Sequence, residues 1–84
     1  MSHMTLKRAN EMTPDARARM LMRIDSYLRE YISDEELFMI WLEEGVPDGT
    51  ETPEELADIS AEDFVEMCHL AERIIQADEE AERE

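Results

Sequence analysis

One cysteine, Cys68, is the only thiol in this 84-residue chain. A single thiol excludes an internal disulfide, along with the paired-cysteine motifs of zinc and redox sites. Two glycines, Gly45 and Gly49, leave no glycine-rich loop to cradle phosphate, and no G-x-S-x-G turn is present. No apolar run approaches the roughly 18 residues needed to cross a bilayer, and no secretory signal is recognisable. Aromatic residues are 6% of the chain, so Phe38 and Trp41 carry much of its bulky apolar volume. Basic residues are scarce: Lys and Arg number 8 against 23 Asp and Glu, for a formal net charge of −15. That charge repels phosphates and disfavours direct DNA or RNA binding.

The length is that of one small domain with a modest core. Met1, Ser2 and His3 have the look of an expression-vector remnant and are set aside, which makes Met4 the expected native start. A reduced cytoplasmic setting is the expectation for a chain with one thiol and no targeting signal. Charge is unevenly spread. Met4 to Ile32 holds six basic residues and four acids, whereas Ser33 to Glu84 holds nineteen acids and two bases.

Helix signals recur along the chain. Met4 to Met12 is polar and aperiodic, and reads as a flexible tail with at most a helical turn. Thr13-Pro14 is a cap followed by proline at the first helical position. The helix it opens runs to about Ile32, with Met20, Leu21, Ile24, Tyr27, Leu28, Tyr31 and Ile32 as one stripe. Arg19, Arg23, Ser26 and Glu30 fall opposite, with Met22 exposed among them. Ser33 with Glu36 reads as a capping box for a second helix. That helix carries the run Leu37, Phe38, Met39, Ile40, Trp41 and Leu42 and stops at Gly45, expected as a left-handed cap. Because it is apolar nearly all round, it is expected to be the central element, covered on at least two sides.

Pro47-Asp48-Gly49 is the expected bend of the next loop. Thr52-Pro53 with Glu55 repeats the start signal for a short helix to about Ile59, burying Leu56 and Ile59. Ser60 with Asp63 opens a last helix to about Asp78. Its stripe is Phe64, Met67, Cys68, Ala71, Ile74 and Ile75, widened by Val65 and Leu70, while Glu62, Glu66, His69 and Arg73 face water. Residues 79–84 are an acidic run expected to fray. The predicted fold is all-α: four helices with the third short, packed antiparallel over residues 13–78. The predicted core is Leu37, Trp41, Ile24, Leu28, Phe64, Cys68 and Ile75, with carboxylate partners expected for Arg17, Arg23 or Arg29.

Catalytic and metal chemistry find no set of residues. Cys68 and His69 are adjacent, so on a helix they diverge by about 100° and cannot act together. Cys68 reads as an inert buried thiol and His69 as a lone surface histidine. A calcium loop begun at Asp48 places Pro53 where glycine is required and Ile59 where the bidentate glutamate belongs, so it fails. Glu66-Met67-Cys68-His69 is a single Glu-x-x-His, whereas a bundle metal site needs that motif on each of two helices. No metal, cofactor or enzymatic activity is expected.

What remains is surface. Phe38 and Trp41 read first as core side chains and second as an interface anchor, for a homodimer or another protein. The acidic second half reads as solvated helix surface, or as a working face built from Glu54, Glu55, Asp58, Glu62 and Glu66. A compact helical protein with a dense carboxylate array is similar in size and acidity to phage and plasmid anti-restriction and anti-CRISPR proteins, which imitate nucleic-acid charge. The likeness is one of physical class, with no motif behind it. The function expected is therefore non-catalytic binding of a basic protein surface, in its sharpest form as a nucleic-acid mimic. The alternatives are an immunity or antitoxin-like inhibitor of a basic active site, and a small oligomeric adaptor that associates through Phe38 and Trp41.

Overall fold

Hydroxyl and carboxylate caps decide where the helices begin. Residues 4–45 and 52–83 are described by the structure, a computed structural model. Thr5 Oγ1 accepts from the Arg8 N–H at 3.2 Å and opens α1, Leu6–Glu11. Thr13 Oγ1 accepts from Ala16 N–H at 3.1 Å and opens α2, Pro14–Tyr31. The cap of α3, Glu35–Glu44, is Asp34 in place of the expected Ser33. Its Oδ1 accepts from Glu36 N–H at 2.9 Å and Leu37 N–H at 3.4 Å. A carboxylate there meets two orphan donors and the positive end of the helix dipole, which a hydroxyl meets less strongly. Thr52 and Glu55 form the expected capping box of α4, Pro53–Ala57. Ser60 Oγ accepts from Asp63 N–H at 3.1 Å at the head of α5, Ala61–Arg83.

Among the described residues there are five helices and no strand, so the fold is all-α. The count differs from the expected four because the Met4–Met12 stretch is not a loose tail. It forms α1, which packs on α5 and buries Met4 and Ala9. Arg17 donates from one terminal nitrogen to the carbonyls of Ala9 at 2.7 Å and Met12 at 2.9 Å, tying α1 to α2. Arg17 thus spends that one terminal nitrogen on backbone carbonyls, where a carboxylate had been expected, while its buried Nε has no hydrogen-bond partner among the described residues. At the other end α5 continues past Asp78, which is itself buried, to Arg83. The expected bend at Pro47–Gly49 lies outside the described residues.

The organising element is α5, not α3. α5 packs against α1, α2 and α3, and α2 also packs on α4. The core holds Leu21, Leu28, Trp41, Leu56, Phe64, Cys68 and Ile74, with Ala9, Ala18 and Ala71 where helices approach closely. Of the expected core, Trp41, Leu28, Phe64 and Cys68 are buried, while Leu37, Ile24 and Ile75 are only partly so. In α3, Trp41 points inward and both α2 and α5 touch the helix, but Met39 is 50% and Ile40 37% exposed, so one side of the apolar run is left uncovered. On α2 the buried stripe is Ala18, Leu21, Asp25 and Leu28, which leaves Tyr27 and Tyr31 at 44% and 57% exposure.

Gly45 ends α3, though not in the left-handed region, since its φ is −103°. Its role is clearance. A Cβ there would lie 2.5 Å from Cε3 of Trp41 and 2.8 Å from the Trp41 carbonyl oxygen. The fold therefore uses this glycine to let the indole lie against the chain as it leaves the helix.

Candidate acidic interface

Trp41 and Phe38 belong to one network at the α2–α3 contact. Trp41 is fully buried and its indole Nε1–H donates to Asp25 Oδ1 at 3.0 Å. Asp25 Oδ2 in turn accepts from Arg29 Nε at 2.8 Å. The Arg29 guanidinium lies over the half-buried Phe38 ring, 5.4 Å from its centroid. A charged side chain within an apolar stripe is tolerable here because both carboxylate oxygens are engaged. The arrangement assigns Trp41 to the core and leaves only the edge of Phe38 to solvent.

The acidic residues are placed differently. Glu54 and Glu55 on α4, Asp58 at its C-terminal cap, and Glu62 and Glu66 on the first turns of α5 are all exposed. Glu55 also accepts from its cap, Thr52 N–H, at 3.4 Å. Glu66 stands in a groove of about 580 Å³ between α3 and α5, with Glu44 and Asp63 around an apolar floor of Met67 and Leu70. His69 and Arg73 also line it. Glu44 was not singled out from the sequence, because its partners across the groove lie about twenty positions away. The signal that could have found it is the unbroken acidity of α3, whose four charged residues are all glutamates. A shared groove holds these carboxylates within reach of one incoming cation.

Cys68 and His69 diverge as helical geometry requires. Cys68 is buried, and burial, with a smaller contribution from the Glu72 charge, pushes its thiol up from 9.0 to about 11. It is therefore neutral and a poor nucleophile at physiological pH. His69 is exposed, and its Nε2 lies 2.8 Å from the Met4 carbonyl oxygen, helping to hold the start of the described chain on α5. Among the described residues no group of three His, Cys, Asp or Glu side chains is placed to hold a metal ion. None of the described helices is long and apolar enough to cross a membrane.

Charge is therefore spread unevenly over the elements. α2 carries four arginines against three acids, while α5 carries eight acids against two arginines, and α3 and α4 carry glutamates only. No protein-family model, no curated protein and no solved structure matches this chain.

Proposed function

We propose that this protein is a non-catalytic binding domain that engages a basic protein surface through the acidic side formed by α3, α4 and α5. The observation that carries the reading is the α3–α5 groove, lined by Glu44, Asp63 and Glu66 with apolar Met67 and Leu70, where the three carboxylates outnumber the one cation, Arg73. A groove of that make-up suits a lysine or arginine side chain, whose alkyl stem lies on the floor while its head meets carboxylates. Glu54 and Glu55 on α4, Asp58 at its cap and Glu62 on α5 are exposed, and their negative charge would steer a basic partner toward the molecule. In its sharpest form the carboxylate array imitates a nucleic-acid backbone and occupies the basic cleft of a nucleic-acid-binding protein.

The test is retention of basic nucleic-acid-binding proteins on the immobilised protein, with duplex DNA as competitor and salt titrated. The proposal expects DNA to displace the retained partner and retention to fall steeply as salt rises. Retention unaffected by DNA would exclude the mimic form. Retention unaffected by salt would exclude the acidic side as the contact.

A further inference from the structure

The apolar residues that α2 leaves uncovered follow a pattern of their own. Met20, Ile24, Tyr27 and Tyr31 stand at i, i+4, i+7 and i+11, which is the spacing of a coiled-coil seam. Met20 and Ile24 are partly buried, and Tyr27 and Tyr31 are exposed with their rings 4.7 Å apart. Beside them a groove of about 440 Å³ runs between α1, α2 and α5, floored by Cys68, Ala71 and Ile75. A second groove, of about 640 Å³, shares Met20 and Ile24 and has Arg19 and Arg23 on its wall. Met20 and Ile24 thus line both depressions and Tyr27 the first, so the seam is only partly covered by its neighbours.

Charge decides what can cover it. Copies of a chain with net charge −15 repel one another over most of their surface. α2 is the exception among the three longest helices, because its four arginines slightly outnumber its acids. Along the edge of the seam, exposed Arg23 and Glu30 lie seven residues apart on the same side. In an antiparallel pair of α2 helices, the layer Ile24 against the partner's Tyr27 is followed by Met20 against the partner's Tyr31. That register brings Arg23 beside the partner's Glu30, and by symmetry Glu30 beside the partner's Arg23.

We infer that α2 is a self-association surface, on which a second copy of this chain packs antiparallel along Met20, Ile24, Tyr27 and Tyr31. The seam is short, so the dimer forms in the micromolar range or weaker and leaves both acidic sides facing outward. It uses a surface different from that of the proposed partner, so either can fail without the other.

Sedimentation equilibrium of the full chain across a wide concentration range tests this. The expected result is a monomer–dimer equilibrium that added salt does not dissolve, since salt screens the repulsion between copies. Tyr31→Glu, at an exposed position, keeps the helical circular dichroism and weakens the dimer at least about tenfold. Arg23→Glu and Glu30→Arg each weaken it, and the double variant restores it, because only the antiparallel register exchanges these two residues. A monomer at every concentration would overturn the inference. So would a dimer indifferent to Tyr31→Glu, or a double variant no better than the singles.

Discussion

Asp25 sits in the buried stripe of α2 with one oxygen on the Trp41 indole and the other on Arg29, so replacing it acts on two helices. Asp25→Ala leaves the indole N–H without an acceptor in a buried site, and a loss of about 1–3 kcal/mol is expected. Asp25→Asn keeps an acceptor and costs less. Urea unfolding followed by the fluorescence of Trp41 measures both. Gly45→Ala separates the two accounts of that glycine. At an ordinary helix end the change is neutral or mildly stabilising. Here the new methyl meets the Trp41 ring, and a loss of about 1–3 kcal/mol is expected with a shift in Trp41 emission. Cys68 supplies a pH signature. Its folded pKa is raised by burial to about 11, so the folded state keeps its proton where the unfolded thiol has lost it. The stability this contributes is complete below pH 9.0 and is lost as pH rises through about 11. The loss should be absent in Cys68→Ala. Large apolar residues at helical spacing, such as Leu28, Trp41, Phe64 and Cys68, were legible as core in the sequence. Asp25 was not, because a carboxylate in a stripe reads as solvent-facing until its indole partner is known. Ala9 and Ala18 were missed for the opposite reason, being too small to make a periodic signal.

At the scale of the helix, α1 makes the clearest prediction. Its Ala9 and the preceding Met4 are buried, and its end is held by Arg17. Removing residues 1–12 should lower stability by on the order of 2–3 kcal/mol, from the apolar surface uncovered on α5. An unchanged urea midpoint would show the segment to be a passive tail. Starts were the most legible part of the fold, since Thr13, Thr52 and Ser60 cap as their chemistry requires, with Ser33 the exception. Thr52→Ala should accordingly cost about 1 kcal/mol. What the sequence concealed is which helix covers which. The apolar run of α3 says that α3 can be buried, but Met39 and Ile40 stay exposed because α5 takes only the Trp41 side. The length of α5, which packs against three other helices, makes it the centre. That follows from tertiary packing and has no local signature.

For the whole molecule the dominant quantity is charge. With a net charge of −15, the folded state suffers its own repulsion. Raising salt from about 0.01 to about 0.1 M shortens the screening length from roughly 30 to roughly 10 Å. The melting temperature should rise across that range. A fall would mean that ion pairs such as Arg29–Asp25 outweigh the repulsion. The acidic bias was readable from composition, and the five acidic positions singled out are exposed. The α3–α5 groove was not readable, because Glu44 and Glu66 meet only once the helices pack. The central claim is that this groove, and not bulk charge, does the binding. The direct measurement compares two triple variants that remove equal charge. Glu44→Gln, Asp63→Asn and Glu66→Gln alter the groove, whereas Glu79→Gln, Glu80→Gln and Glu82→Gln alter the exposed end of α5. Retention of DNA-displaceable basic proteins should collapse in the first and persist in the second. Equal losses in both would contradict the claim and leave the acidic side as solvated surface alone.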